Sequence, residues 1–164
     1  MLGPARVSAR VTAVEGQVQD SATTADTAER RLREALEASG QRFTEQRAAV
    51  YRYLAATDRH PTADEVFTSV RASIPDISLA TVYKALETLV GCGLAAKLTN
   101  GDGSARYDGR TDPHHHARCL VCGVVLDVQG DIDTRAFASF RPGAGFRVEG
   151  IRLEVIGRCV RCAT

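Results

Sequence analysis

The sequence has no stretch approaching 18 consecutive apolar residues, and so no segment expected to span a membrane as a helix. It has no basic excess: 21 Lys+Arg stand against 20 Asp+Glu, a net charge of +1. Divided after residue 104, it carries 12 basic and 13 acidic residues in the first part, and 9 and 7 in the second. Charge alone therefore nominates no nucleic-acid partner. An H-E-x-x-H metalloprotease helix is absent, as is any comparable general-base motif. A secretory core is missing too, since Val7 to Val14 is interrupted by Ser8, Arg10 and Thr12. Glu15 and Asp20 count against an Arg- and Ser-bearing transit peptide. The expectation is a cytoplasmic protein with no membrane partner. Hydrophobic content of 44% and charged content of 25% are globular averages, which exclude wholesale disorder. The length of 164 residues suits one ordinary domain or two small ones.

What is present begins with helix signals. Residues 1–25 are small, polar and aperiodic, and are expected to form a disordered extension. Leu32, Ala35, Leu36 and Ala38 then mark an amphipathic helix that stops at Gly40. Thr44 is placed to cap a second helix, with Val50, Leu54 and Ala55 as its apolar stripe through Ala56. His60-Pro61 breaks the chain, and Thr62-Ala63-Asp64-Glu65 is a capping box for a third helix that buries Val66 and Val70 and ends before Pro75. Ser78 caps a fourth, with Val82, Leu86, Leu89 and Val90 on one side and Gly91 and Gly93 at its end. A hairpin follows: Leu94–Leu98 and Ser104–Tyr107 flank Asn100-Gly101-Asp102-Gly103.

Helix, helix, helix, hairpin is the order of a winged helix-turn-helix, whose last helix enters the major groove of DNA. On that helix Thr81, Tyr83 and Lys84 can reach phosphates or base edges. The same residues also suit an ordinary solvated helix surface.

Beyond residue 108 the pattern changes to alternation, predicting strands over Cys119–Val128 and Phe146–Val155. Val124, Leu126 and Val128 would share one face of the first. Ile132, Ala136, Phe137 and Phe140 lie between them at helical spacing. A unit this small needs a staple. Two C-x-x-C pairs, Cys119/Cys122 and Cys159/Cys162, can supply it, because four thiolates close a tetrahedral shell around structural Zn²⁺. Redox dithiols or buried free cysteines are the alternatives. Cys92 stands apart, as a small hydrophobe or an inert thiol.

His114-His115-His116 immediately precedes the first pair. On an extended segment His114 and His116 point the same way, so two imidazoles can share an ion. Asp108, Asp112 and Asp127 lie nearby in sequence, and His60 sits at the interhelical break. Mixed nitrogen and oxygen donors favour Fe²⁺, Mn²⁺ or Zn²⁺. A solvated polar run is the bland alternative.

Given these motifs, the chain resembles the ferric uptake regulator family of metal-dependent transcriptional repressors. Arg42-Phe43-Thr44-x-x-Arg47, His60-Pro61-Thr62-Ala63-Asp64-Glu65-Val66, Ser78-Leu79-Ala80-Thr81-Val82-Tyr83-Lys84-x-Leu86 and His114-His115-His116-x-x-Cys119-x-x-Cys122-Gly123 stand in the family's order. The resemblance implies an α+β chain. A winged-helix DNA-binding domain over residues 26–107 would be followed by a small α/β dimerisation and metal-binding domain over 108–164. Arg47 joins Thr81, Tyr83 and Lys84 as a candidate DNA contact. The implied partner is a palindromic operator in double-stranded DNA, bound by a homodimer.

Within the family the chain is most similar to the peroxide-responsive repressors. That subgroup's regulatory metal site, for Fe²⁺ or Mn²⁺, carries over onto His60, Asp108, His114, His116 and Asp127. Asp127 stands where iron-sensing members usually have Glu, and Gly150 and Ile151 stand where many members have a histidine. The resemblance implies that one metal bridging all five residues clamps the DNA-binding domains at operator spacing, and that peroxide acting on the Fe²⁺ form oxidises His60 or His114. Such a clamp needs roughly 5 kcal/mol of differential affinity. A repressor responding to iron or manganese without peroxide chemistry is the alternative. A metallohydrolase on an open His/Asp site, or a zinc-holding interaction module, are more distant ones.

Overall fold

The computed structural model describes residues 21–99, 104–128, 130, 135, 143–149 and 153–163. In chain order the elements are α1 (Ser21–Ala38), α2 (Glu45–Ala56), α3 (Ala63–Val70), α4 (Leu79–Gly91), β1 (Ala96–Thr99), β2 (Ala105–Asp108), β3 (His115–Cys119), β4 (Val125–Val128) and β5 (Glu154–Gly157).

Three helices begin where a hydroxyl can replace a missing backbone partner. Thr44 accepts from the Arg47 N–H and Ser78 from the Thr81 N–H. At Thr62 the box closes both ways, since Thr62 accepts from the Glu65 N–H and the Glu65 carboxylate accepts from the Thr62 N–H at 2.7 Å. Each such cap stabilises by about 1 kcal/mol. Helix α1 starts at Ser21, so the last residues of the stretch expected to be irregular are helical. Once a helix is nucleated, extending it by small residues costs little.

The apolar faces of α1 to α4 meet in one core. Leu32, Leu36, Val50, Leu54, Val66, Val82, Leu86 and Leu89 are all at most 1% exposed. Tyr107 of β2 joins them and directs its hydroxyl to the Glu87 carboxylate of α4 at 3.0 Å, so its polar end is not stranded. Strands β1 and β2 pair antiparallel with Lys97 opposite Tyr107. The hairpin's turn, residues 100–103, lies outside the described residues.

A second sheet has the order β4-β3-β5. Strand β3 pairs antiparallel with β4, setting His116 opposite Asp127, and parallel with β5, setting Ala117 opposite Val155. This corrects the expected strands. Cys119–Val128 is not one strand but the end of β3, a turn, and β4. The turn is made by the C-x-x-C segment, where Gly123 takes φ +68°, a conformation unfavourable to other residues. Phe146–Glu149 is not a strand either, and β5 begins at Glu154. Its register is set by bringing the second cysteine pair onto the first: Leu120 N–H donates to Gly157 O at 2.8 Å, and Cys159 N–H to Cys119 Sγ at 3.3 Å. The facing of β4 also differs, with Val125 buried and Leu126 51% exposed. The expected helix of Ile132, Ala136, Phe137 and Phe140 falls outside the described residues, as do Gly150 and Ile151.

Candidate metal centres

The first cluster is built by the two C-x-x-C turns. Cys119, Cys122, Cys159 and Cys162 bring their sulfurs within 4.8 Å of one another. Cys122 and Cys159 Sγ are 3.7 Å apart. Four thiolates at about 2.3 Å from a central Zn²⁺ sit roughly 3.8 Å from each other, so the donor set and its spacing fit tetrahedral zinc. Backbone N–H groups of Cys122 and Cys159 pull the Cys119 thiol down to about 6. Hydrogen bonds to Cys159 and Cys122 push Cys162 up to about 12, so its proton must leave when metal arrives. Cys92 takes no part; it caps the end of α4 and packs partly buried against the helical core.

The second cluster joins four segments. His60 comes from the break between α2 and α3, Asp108 from the end of β2, His114 and His116 from the residue before β3 and from its start, and Asp127 from β4. Asp108 Oδ2 lies 3.6, 3.0 and 3.3 Å from the Nε2 atoms of His60, His114 and His116. Asp127 Oδ1 lies 3.0, 3.3 and 3.8 Å from the same three atoms. Three imidazole nitrogens thus converge on two carboxylate oxygens in a pocket where His60 is 3% and Asp108 4% exposed.

Of these approaches only His116 Nε2 to Asp108 Oδ2 is aligned as a hydrogen bond. His60 Nε2, His114 Nε2 and Asp127 Oδ1 are buried without a well-aligned hydrogen-bond partner. Unpaired buried polar atoms are costly, and their convergence on common space is what a cation would satisfy. With donors about 2.1 Å from a cation, neighbouring donors stand roughly 3.0 Å apart and opposite ones roughly 4.2 Å. The observed spacings match that range. The residues fit a divalent ion with nitrogen and oxygen preference.

Backbone contacts aim the rings. The Asp112 carbonyl can only accept, so His114 Nδ1 at 2.8 Å carries the proton and Nε2 is left as a lone-pair donor. Burial lowers the His60 pKa, but contact with Asp108 and the charges of Asp108 and Asp127 outweigh it and hold His60 above 6.5. Burial and the neighbouring His60 and His114 hold His116 below that value. Although burial opposes it, contact with His60 and the Arg110 N–H keeps Asp108 below the usual carboxylate range.

The structure brings together all nine expected ligands, in two groups. The expected DNA contacts are more scattered. Tyr83 is 44% exposed and Lys84 is exposed, whereas Thr81 is half-buried with its hydroxyl 2.8 Å from Ser78 Oγ. Arg47 is drawn inward, bonding the Arg42 carbonyl, Gln41 Oε1 at 3.2 Å and Thr88 Oγ1 at 3.4 Å.

Two arginines at the site escaped the sequence reading. Arg106 donates to the His60 carbonyl and the Gly123 carbonyl, each at 2.9 Å, and reaches Glu65 at 3.3 Å. It ties the helical part to the cysteine turn. Arg110 contacts Asp112 and Asp127. Their placement within a few residues of Asp108 was the available signal.

Residues 38–156 match the ferric uptake regulator family. The chain belongs to that family. A peroxide operon regulator of Bacillus subtilis is 39% identical over 137 residues, covering 80% of this chain and 93% of the relative. The peroxide-responsive repressor PerR of Staphylococcus aureus is 36% identical over 127 residues, covering 77% and 86%. The Helicobacter pylori ferric uptake regulator, whose structure is described as revealing three functional metal binding sites, superposes with a TM-score of 0.70 at 21% identity. It covers 85% of this chain and 93% of its own, and shows the shared fold. The Pseudomonas aeruginosa ferric uptake regulator with manganese gives a TM-score of 0.60 at 25% identity, covering 81% and 98%. The family's mixed helix-and-sheet fold agrees with the expected α+β class. Its members are regulators, and the metallohydrolase alternative finds no support. No described helix is long and apolar enough to cross a membrane.

Proposed function

We propose that this protein is a metal-gated transcriptional repressor that responds to peroxide. The observation that carries the reading is the convergence of His60 with Asp108, His114, His116 and Asp127, because those residues belong to both halves of the chain. Residues 26–107 act as a winged-helix DNA-binding domain, with α4 as the groove-reading helix and the β1–β2 hairpin as the wing. Residues 108–164 act as the dimerisation domain, stapled by zinc on Cys119, Cys122, Cys159 and Cys162. Two protomers place two copies of α4 on the half-sites of a palindromic operator, in the cytoplasm. Lys84 and Tyr83 contact DNA, with Thr81 and Arg47 shaping the helix and its approach.

The five residues would hold Fe²⁺ or Mn²⁺, and Fe²⁺, the more readily oxidised of the two, would supply the redox catalysis by which peroxide, the two-electron oxidant, gives one oxygen to an imidazole carbon and leaves as water. The chain's own part is to fix His60 against β4, so that the helical half is clamped only while all five ligands are intact. A cleft of about 380 Å³, lined by Tyr53, Arg59, His60, Asp64, Arg106 and Leu126, gives a small solute a way to His60. An imidazole carrying an added oxygen at His60 or His114 no longer fits its place, the clamp opens and the operator is released. Metal and DNA then favour each other reciprocally.

The test is a mobility-shift titration on operator DNA with Mn²⁺ or Fe²⁺, before and after peroxide. Release from the Fe²⁺ form alone, with an oxygen added to a His60 or His114 peptide by mass spectrometry, is the expected result. Metal-gated binding that peroxide leaves untouched would make the protein an iron- or manganese-responsive repressor instead.

A further inference from the structure

Each carboxylate of the His/Asp cluster has one oxygen facing the imidazoles and one held elsewhere, and Arg110 does the holding in both cases. Its backbone N–H donates to Asp108 Oδ1 at 2.7 Å, leaving Oδ2 for the three Nε2 atoms. Its guanidinium donates from Nη1 to Asp127 Oδ2 at 3.3 Å, leaving Oδ1 for the same three. The guanidinium is itself aimed by Asp112, through Nε–Oδ1 at 2.8 Å and Nη2–Oδ2 at 2.6 Å. Asp112 also fixes the His114 ring through its backbone carbonyl. One short segment, residues 108–114, thus supplies two ligands and sets the orientation of a third, Asp127.

We propose that Arg110 is a positioning residue that limits Asp108 and Asp127 to one site-facing oxygen each, so that the centre presents five donor atoms. This rests on the reading of the five residues as a metal centre. The physical reason is competition. A carboxylate can chelate one ion with both oxygens, as flexible acidic sites commonly do, unless its second oxygen is already bonded. The Arg110–Asp127 contact is made by a charged donor, which binds a carboxylate oxygen more strongly than a neutral one does. With Asp127 confined in this way, a six-coordinate ion such as Mn²⁺ has one position the protein does not fill. Loss of the guanidinium frees Asp127 to turn and close that position with its second oxygen.

The test uses the full-length, zinc-loaded protein and Mn²⁺ alone, with Arg110→Ala, Asp112→Ala and the double variant. Affinity is read by competition with a chromophoric chelator, and metal-bound exchangeable water by water-proton relaxation enhancement per bound Mn²⁺. In Arg110→Ala the enhancement falls, because the second Asp127 oxygen takes the position of a metal-bound water, while affinity does not drop, since a donor is gained and a nearby positive charge is lost. Asp112→Ala moves the enhancement the same way, and in the double variant it falls no further than in Arg110→Ala, since the two act through one contact. Should Arg110→Ala not fold, Asp112→Ala carries the same test. An enhancement that does not fall in the variants overturns the one-oxygen assignment, whatever happens to affinity. Zinc-loaded wild-type protein that binds no Mn²⁺ would instead overturn the metal-centre reading itself.

Discussion

His60 Nε2 lies 3.0 Å from Asp127 Oδ1, joining the break between α2 and α3 to β4. With Arg106 bonding both the His60 carbonyl and the Gly123 carbonyl of the cysteine turn at 2.9 Å, this contact connects the helical core to the cysteine-bearing sheet. A metal that binds both residues would therefore act on the relation between the two halves.

His60→Ala and Asp127→Ala should each weaken Mn²⁺ binding at the His/Asp centre by roughly 100-fold or more, exceeding the loss expected for an outer residue. Zinc content should stay at one ion per chain, because the cysteine cluster is separate. Metal analysis beside a chelator competition checks both statements. Retained Mn²⁺ affinity in either variant would remove that residue from the ligand set.

Cys119→Ser should remove zinc and dimer together, since the closed thiolate site supplies folding energy to a small sheet. The change also takes the sulfur that accepts the Cys159 N–H and anchors β5. Sedimentation with zinc quantification decides it, and a stable zinc-free dimer would contradict the structural role.

Gly109→Ala should destabilise the protein by about 1–3 kcal/mol, the usual cost of forcing atoms into a packed contact. A Cβ at Gly109 would strike the Leu54 carbonyl at the end of α2. Relief requires β2 to shift, and Asp108 shifts with it. Thermal unfolding should show the loss in metal-free protein, and Mn²⁺ affinity should fall as well.

Mn²⁺ affinity should rise with pH above 6.5 and level off once His60 is neutral. Asp108 and Asp127 hold the His60 pKa above 6.5 in the metal-free protein, so the metal has to displace a proton there. The sign for stability is opposite. His60's contribution to the metal-free fold is fully present below 6.5 and fades as pH rises through its raised value. Asp108, held below its ordinary 3.8, contributes above that pH and loses the contribution on acidification. Calorimetry in buffers of different ionisation enthalpy counts the released proton, and a pH-independent affinity would rule the linkage out.

Lys84→Ala should weaken operator binding and lower the slope of log affinity against log salt by about 1, with metal content unchanged. An unchanged slope would take Lys84 off the DNA.

Much of the fold was legible because its signals are local. Thr44, Thr62 and Ser78 mark helix starts by hydroxyl chemistry that operates within three residues, and the apolar spacing in α4 names its buried side. The ligands were legible as residue types at telling spacings. What the alternation at Cys119–Val128 concealed was a turn, because a strand pattern and a C-x-x-C knuckle flanked by apolar residues look alike until pairing is known. Phe146 and Val148 alternate as a strand would and are 69% and 51% exposed, since alternation makes no strand without a neighbour to bond. Arg47 illustrates the reverse case, a cation whose bonds are spent inside the molecule.

The sequence by itself determined which donors exist and which element each sits on. Four thiols in two pairs and histidines beside carboxylates offer donors for tetrahedral zinc and for a harder nitrogen–oxygen site. Only the tertiary structure decided that His60, at the helical break, meets Asp127 of β4, because no local preference specifies a contact between segments so far apart in the chain. It also decided which oxygen of each aspartate faces the imidazoles. A carboxylate's two oxygens are chemically equivalent in the sequence and become different only when a neighbour such as Arg110 bonds one of them.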